Sequence, residues 1–240
     1  MIFKMYSMYR QIFIMFMLLF SCLEIAHAQY SRDNITVGIG PAMLYGDNSG
    51  QYRQFRFKVS PALSLSYSRE ISDEIDIRVT AGLQLIDSGD FGVGRFGIER
   101  LSAAENQAIH FTGQVFFFDV MPVYLFNPAP PGYVGYAINY YAGIGLGAIL
   151  SNRVDQIPIE RQRSTETLVL NEEENQSIAA YIPIRAGLST NLEGLWDIGI
   201  EGTVITAYPS NLDGNTIRNK IVPLDMLLQF QITFKRYLGR

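Results

Sequence analysis

The sequence predicts an all-β fold, an eight-stranded antiparallel up-and-down transmembrane β-barrel with long extracellular loops and short periplasmic turns. Three observations predict it. Apolar residues recur at every second position over several long stretches, a secretory leader precedes them, and the connections between them alternate between long and short. A period of two residues is that of a strand, and strands can cross a bilayer only as a closed barrel.

The stretch Trp196–Tyr208 carries the clearest pattern. One of its faces is mostly apolar and consists of Trp196, Ile198, Ile200, Gly202, Val204, Thr206 and Tyr208. At ~3.3 Å per residue, the aromatic rings at its two ends lie roughly 40 Å apart. A tilt of about 45° reduces this span to roughly 28 Å, close to the hydrocarbon thickness of a bilayer. We interpret the stretch as a lipid-facing strand.

The N-terminus predicts secretion. Residues 1–28 have a basic start with Lys4 and Arg10, an apolar run at 12–20 and a final A-H-A motif, which together are typical of a signal peptide. The apolar run is shorter than the roughly 20 residues of a spanning helix. Residues 29–240 are therefore expected to form the mature barrel as a single domain.

A second interpretation of the leader is that Cys22 carries a lipid. The sequence L-F-S-C loosely resembles a lipoprotein cleavage box, but Phe20 fits that box poorly, so cleavage after Ala28 is preferred. Such cleavage also removes the only cysteine of the chain, which leaves no thiol for a disulfide, a zinc site or nucleophilic catalysis.

The composition of the mature chain argues against nucleic acid as a partner. It retains 17 basic and 22 acidic residues, a net charge of about −5, and it has no basic stripe. The eight predicted strands are 35–45, 57–68, 75–85, 110–126, 136–150, 178–190, 196–208 and 224–235.

The strands are assigned from the alternation of their residues. In 57–68 apolar residues alternate with serines, one alanine and one lysine, so the second face is a poor core for a soluble sandwich. In 136–150 the inner face includes Gly143, Gly145 and Gly147, which leaves room for large side chains from neighbouring strands. Pro41 and Pro61 each remove a ladder hydrogen bond and count mildly against central strands.

In the stretch 110–126 the polar residues do not stay on one face of the strand. His110, Thr112 and Gln114 have even numbers and lie on one face, whereas Asp119 has an odd number and lies on the other. A β-bulge at 116–118 would reconcile the two faces. Alternatively, the first polar residues stand clear of the membrane.

The connections orient the barrel, because outer-membrane barrels have long extracellular loops and short periplasmic turns. The long connections lie around Gly46, Gly92, Arg163 and Asn211. The short ones lie around Ser72, Pro130 and Gly194. Both mature termini are therefore predicted to be periplasmic.

Charged residues of both signs fall on the inner faces of the strands. The set is Lys58, Asp76, Arg78, Asp119, Arg185, Asp197, Glu201, Asp225 and Lys235. Eight strands enclose a lumen just wide enough to be filled by side chains, and desolvated charges require partners. We predict a polar network that plugs the lumen, in preference to a pore or a catalytic site.

Aromatic residues lie near strand ends, where an interfacial girdle would be. They are Tyr45, Tyr67, Tyr124, Tyr136, Trp196, Tyr208 and Tyr237. Ordinary sheet aromatics would explain their presence but not their location.

Three weaker motifs do not predict a site, so no catalytic, cofactor or metal site is predicted from the sequence. His110, the only histidine of the mature chain, has no diagnostic motif beside it. The G-x-G-x-x-G pattern at 92–97 lacks a strand-then-helix context. The run Glu172 to Glu174 lacks the ligand spacing of a calcium loop, so we interpret it as a solvated loop.

The mature chain resembles small outer-membrane barrels of Bacteroidetes-type bacteria. The features are an A-H-A leader ending followed by Gln29, a first strand V-G-I-G-P-A-M-L-Y-G-D at 37–47, and Y-Y-A-G-I-G-L-G at 140–147. It looks most like PorG-type barrels, which implies a non-enzymatic subunit of type IX secretion and gliding machinery that contacts periplasmic components. Residues 235–240 depart from the pattern of barrels whose last residue is aromatic and serves as an assembly signal. Phe234 is the candidate for that signal in this chain.

Three functions follow as alternatives. In the first, the chain is a structural or accessory subunit of an envelope complex, with other envelope proteins as partners. In the second, it is an independent OmpX-like or OmpA-like surface barrel for adhesion or envelope integrity. In the third, it is a lipid-modifying enzyme. The third requires His110 within hydrogen-bond reach of a serine and an acid. The first is preferred, with outer-membrane lipid as the surrounding medium.

Overall fold

The structure is a computed structural model, and it describes residues 31–46, 49–51, 56–89, 102–128, 138–158, 170–190, 196–209, 212–213 and 224–239. The leader 1–28 therefore lies outside the described residues. No helix in the described part of the chain is long and apolar enough to cross a membrane.

The described chain consists almost entirely of antiparallel strands. In chain order they are β1 (Ser31–Tyr45), β2 (Gly50–Gln51), β3 (Arg56–Phe57), β4 (Val59–Glu70), β5 (Ile75–Asp87), β6 (His110–Leu125), β7 (Ile138–Ile144), β8 (Leu146–Pro158), β9 (Leu170–Thr190), β10 (Trp196–Tyr208) and β11 (Asp225–Gly239). Strands β2 and β3 form a small separate hairpin.

The nine remaining strands close into a ring of eight staves, because β7 and β8 together form one stave, and this confirms the predicted fold class. Each stave pairs with the next one in the sequence, and β1 closes the ring by pairing with both β4 and β11. One end of the barrel holds the described chain ends at Ser31 and Gly239, and we call it the terminal end. The opposite end, where β1 finishes at Tyr45, is the loop end.

Strands β7 and β8 are one stave of the barrel interrupted at Gly145. Their pairing with β6 keeps one register on both sides of the interruption, so no residue is inserted. Pro122 and Pro183 flank the break on the two neighbouring strands and lack the N–H that a ladder requires. The N–H of Gly145 still donates to the carbonyl oxygen of Pro183 at 3.1 Å.

The predicted bulge at 116–118 is wrong. Pairing of β6 with β5 runs without a shift from Ile75↔Tyr124 to Asp87↔Thr112. The alternative, in which the first polar residues of this strand stand clear of the membrane, agrees with the structure. The polar start of β6 pairs with the part of β8 that extends past the apolar zone at the loop end.

The predicted loop between residues 150 and 178 is also largely wrong. Strand β8 continues to Pro158 and β9 begins at Leu170, so that the two form a long hairpin extending past the loop end of β10. The acidic run at 172–174 lies on β9 and not in a loop. The prediction failed because a strand outside lipid carries polar residues on both faces and loses the alternation that identified the others.

The exterior of the barrel is apolar over most of the length of its staves. Outward side chains are exposed and the residues between them are buried, as in the burial alternation along β10. Exposed apolar residues on the staves include Ile39, Leu65, Phe118, Val120, Leu146, Ile178, Ile184, Ile198, Phe230 and Ile232. A continuous apolar surface of this kind is stable only against lipid, so the fold is a transmembrane barrel.

Gly40 marks a position where two strands approach too closely for a side chain. A Cβ there would overlap the carbonyl oxygen of Phe230 and lie 2.8 Å from the Cα of Gln231. We expect Gly40→Ala to lower the free energy of unfolding by about 1–3 kcal/mol, as overpacking does.

Gly202→Ala is the matched control, because the nearest atom to its added Cβ would be Ala186 O at 3.9 Å. This change should be neutral or stabilising by up to about 1 kcal/mol. Urea unfolding of both variants in the same micelles measures the difference, and equal stabilities would contradict the packing between β1 and β11.

Candidate functional site: the filled lumen and its rims

The predicted lumen residues lie inside the barrel with one exception. The side chains of Asp76, Arg78, Asp119, Arg185, Asp197, Glu201, Asp225 and Lys235 are all buried. They alternate with lipid-facing residues on their strands, because successive side chains of a strand point to opposite faces.

Lys58 is the exception, and its assignment to the lumen network is corrected. It lies just before β4, its side chain is 54% exposed, and its Nζ is 3.8 Å from Asp87 Oδ2 at the loop end. Lys58 has the inward parity of its neighbours, but the stave begins only at Val59, so the parity no longer determines where the side chain lies.

Arg185 and Asp119 form a bidentate charge pair in the lumen. The guanidinium donates from Nη1 to Asp119 Oδ1 at 2.8 Å and from Nη2 to Oδ2 at 2.7 Å. The hydroxyl of Tyr181 donates to the same carboxylate at 2.6 Å, and Arg185 Nη1 also donates to Thr80 Oγ1 at 2.8 Å. A bidentate pair with additional donors is the arrangement that compensates for burying both charges.

A second pair, Arg78 with Glu201, adjoins the first. Arg78 Nη1 is 2.7 Å from Glu201 Oε2, and the hydroxyl of Tyr141 donates to the same oxygen at 3.0 Å. Glu201 Oε1 is also 3.6 Å from Arg185 Nε, so one carboxylate joins both arginines. Strands on opposite sides of the barrel are therefore connected across the lumen by a charge network.

The network continues towards the terminal end. Lys235 Nζ lies 5.6 Å from the centre of the Tyr141 ring and donates to Ser189 Oγ at 3.3 Å. Tyr237, predicted for the aromatic girdle, instead points inward, where its hydroxyl donates to Asp197 Oδ2 at 2.7 Å. Its parity is that of Lys235, so the inward orientation could have been inferred from the strand period.

Towards the loop end the lumen is filled by apolar side chains, which the sequence analysis missed. The cluster comprises Leu44, Ile86, Phe111, Val115, Phe117, Ile149, Ala179, Tyr181, Ile205, Ala207, Leu212 and Leu227. The available signal was that 115–118 is apolar on both parities, which in a lipid-exposed stave means that the inner face is apolar too.

Leu212 comes from the connection after β10. Its N–H donates to Asp225 Oδ2 at 2.6 Å, and its carbonyl oxygen accepts from Arg153 Nη1 at 2.8 Å. Arg153 is held by Asp155 through two further hydrogen bonds. Leu212 is fully buried and is itself part of this apolar layer.

The aromatic residues lie at two levels. Tyr67, Tyr124 and Trp196 are near the terminal end, and Trp196 is 56% exposed with the guanidinium of Arg236 at 5.4 Å from its ring. Tyr45 and Tyr208 are near the loop end. Tyr136 lies outside the described residues.

His110 has a serine partner at the loop end of the barrel. Its Nδ1 is 2.8 Å from Ser88 Oγ. Ser88 is buried, and its Oγ also accepts the N–H of Phe111 at 3.0 Å. The hydroxyl thus ends the β5–β6 ladder, which is a structural role.

The described residues contain no group of three or more histidine, cysteine, aspartate or glutamate side chains arranged for a metal ion. In the acidic run, Glu172 Oε1 accepts from Gln156 Nε2 at 2.9 Å and Glu173 Oε1 accepts from Asn171 Nδ2 at 3.0 Å. These carboxylates lie on a strand whose neighbouring side chains are their hydrogen-bond partners.

Solved structures similar to this chain are small outer-membrane barrels. Neisserial surface protein A is 9% identical over 87% of this chain and 98% of that one, with a TM-score of 0.48. Ail, the attachment invasion locus protein of Yersinia pestis, solved in complex with the heparin analogue sucrose octasulfate, is 11% identical over 87% and 99%, with a TM-score of 0.46. A major outer membrane protein from Thermus thermophilus is 9% identical over 86% and 99%, with a TM-score of 0.48.

No protein-family model matches the sequence, and no curated protein matches it. At these identities the similarity concerns architecture alone. The assignment of a transmembrane barrel rests on the closed strand pairing and the apolar exterior described above.

Proposed function

We propose that the chain is a non-enzymatic outer-membrane β-barrel that serves as a structural or accessory subunit of an envelope complex, with both mature termini in the periplasm. The observation that carries this proposal is the filled lumen. Arg78–Glu201 joins strands on opposite sides of the interior, Arg185–Asp119 lies beside it, and the apolar layer around Leu212 fills the lumen towards the loop end. A barrel whose described interior is occupied by side chains in this way is expected to act through its surfaces.

The class of complex is suggested by the resemblance to PorG-type barrels, whose role is in type IX secretion and gliding. The resemblance rests on the first strand, which ends at Tyr45 before Gly46 and Asp47, and on the glycine-rich stave at 140–147. A rigid stave wall anchored in lipid is suited to holding periplasmic partners at a fixed position beneath the membrane.

Affinity purification in mild detergent tests the proposal. The tagged full-length chain, extracted from its native membrane, is expected to bring other envelope proteins with it at fixed stoichiometry, and an unrelated tagged outer-membrane barrel from the same cells is the control. Recovery of the chain alone under these conditions would contradict the subunit role.

An independent surface barrel is the second candidate, and the long β8–β9 hairpin favours it. Strand β10 pairs with β9 only from Ala180 onward, and no described strand pairs with that edge of β9 over 170–179. An open strand edge is a template for adding an extended chain from another protein. In this case the chain purifies alone, and replacing the hairpin by a short turn abolishes surface binding without unfolding the barrel.

The third candidate, a lipid-modifying enzyme, draws on the contact between His110 and Ser88. Because Ser88 Oγ is buried and already bonded to the N–H of Phe111, we expect His110→Ala to leave phospholipid hydrolysis at the background level of the unaltered protein. Ser88→Ala should cost about 1–3 kcal/mol of stability, since a buried N–H loses its acceptor. Hydrolysis above background that falls in the His110 variant would instead identify an enzyme.

A further inference from the structure

A groove of about 350 Å³ lies on the outer wall of the barrel, where β6, β8 and β9 run side by side near the loop end. Outward side chains from these three strands line it, among them Thr112, Gln114, Asn152, Glu174 and Gln176. It is separate from the lumen and takes no part in the charge network.

The register of the sheet sets three amides next to one another in this groove. Gln114 lies opposite Asn152, and Asn152 lies opposite Gln176. Side chains directly opposite in an antiparallel pair have Cβ atoms about 4.5–5.5 Å apart. Gln114, Asn152 and Gln176 therefore form one row across the three strands, which we call the amide row.

The amide row borders the hydrocarbon zone. The next outward row towards the terminal end is Leu83, Phe116, Leu150 and Ile178, all apolar. Two residues along a strand are about 6.6 Å, and less when measured along the membrane normal of a tilted strand. The amide row is thus at the depth of lipid headgroups directly above the acyl chains.

The side chains that line the groove suit a neutral ligand with several hydroxyl groups. Each amide offers both a donor and an acceptor, and Thr112 adds a hydroxyl. The one cation among the lining residues, Arg153, turns its guanidinium inward to Asp155. With Glu174 as the charged group beside the amides, an anionic phosphate is disfavoured and hydroxyl donors are favoured.

The side chain of Asn152 carries an acceptor without a partner in the described part of the chain. Its Oδ1 is buried and has no hydrogen-bond partner among the described residues. A buried carbonyl oxygen without a partner costs free energy comparable to a lost hydrogen bond. Because this oxygen is shielded from solvent, it meets a ligand only after the amide rotates about χ2, and a hydroxyl donor in the groove would then recover that cost.

We propose that the amide row binds the hexose headgroup of a neutral glycolipid in the outer leaflet. The acyl chains of such a lipid lie against the apolar row at Phe116 and Ile178, and its sugar hydroxyls meet Gln114, Asn152 and Gln176. The proposal rests on the transmembrane fold and, for the choice of leaflet, on the proposed periplasmic termini. It does not rest on the role in an envelope complex, so that role and the glycolipid site can each fail without the other.

Native mass spectrometry of the full-length barrel in a phosphocholine detergent tests this. Monoglucosyl diacylglycerol is expected to form a one-to-one adduct, whereas phosphatidic acid with the same acyl chains and free glucose at equal concentration are not. Gln176→Ala is expected to weaken the glycolipid adduct about tenfold, the equivalent of one to two hydrogen bonds. Gln156→Ala, an amide on the same outer face but outside the groove lining, is the control and should change nothing.

Circular dichroism and thermal unfolding of each variant establish that it is folded, and Gln114→Ala provides a second variant on a different strand. Phosphatidic acid bound as well as the glucosyl lipid, free glucose at the same occupancy, or equal binding by the Gln176 and Gln156 variants would each overturn the proposal.

Discussion

Replacing Asp119 with alanine is expected to lower the free energy of unfolding by about 3–5 kcal/mol. The change removes the acceptor of two hydrogen bonds from Arg185 and one from Tyr181. The buried guanidinium then faces the carboxylate of Glu201 at 3.6 Å, which it shares with Arg78. This loss is much larger than the stability that would be lost if both partners were replaced by apolar residues. The reason is that most of the cost comes from the poorly compensated buried charge of Arg185. Reversible urea unfolding in detergent micelles measures it.

Asp87→Ala is the control, since Asp87 lies 3.8 Å from the partly exposed Lys58 and accepts the N–H of Gly89 at 2.7 Å. An ion pair that reaches solvent contributes about 0–1 kcal/mol and a hydrogen bond about 0.5–1.5 kcal/mol, so the control should lose no more than about 2 kcal/mol. A joint change of Asp119→Leu and Arg185→Met should be less damaging than the single change. Equal losses for Asp119→Ala and Asp87→Ala would contradict the lumen network.

Replacing Val120 with arginine is expected to cost about 2–4 kcal/mol in a bilayer. Val120 is 43% exposed and faces outward on β6 between Val79 and Leu146, about midway between the amide row and the aromatic level at Tyr124. Its neighbours on this wall are apolar, so a guanidinium there has lipid as its surroundings. Unfolding in lipid vesicles measures the change.

Thr112→Arg is the control on the same strand and the same face. Thr112 lies beyond the amide row at the loop end, where an arginine costs about 0–1 kcal/mol. If the two substitutions lowered stability equally, the cost of an arginine would not depend on its position along the barrel axis. That result would contradict a bilayer surrounding the part of the barrel at Val120.

The sequence allowed the staves to be predicted because lipid imposes a strict period on them. β10 begins and ends where its alternation does, at Trp196 and Tyr208, since both of its ends coincide with the edges of the apolar zone. β9 begins at Leu170, eight residues before the predicted start at 178, because its first part has polar residues on both faces. Periodicity reports the solvent on each face, not the strand itself.

The lumen could be predicted in kind but not in arrangement. Parity assigns Asp119, Arg185 and Glu201 to the interior, yet which carboxylate meets which guanidinium depends on the stagger of strands that are far apart in sequence. The contact of Ser88 with His110 and the burial of Leu212 depend on how connections fold over the rim, for which the sequence carries no periodic signal. The amide row depends on the register of three strands at once.

Alternate residues of each stave face lipid and the closed interior of the barrel. The most direct measurement is spin-label accessibility along β10 in lipid vesicles, using single-cysteine variants, which is practical because the chain's only cysteine is Cys22 in the predicted leader. Labels at Ile198, Ile200 and Val204 are expected to collide with oxygen but not with a water-soluble nickel chelate, whereas those at Thr203 and Ile205 collide with neither. Nickel accessibility at Ile198, Ile200 and Val204 equal to that of a solvent-exposed label would contradict the membrane barrel.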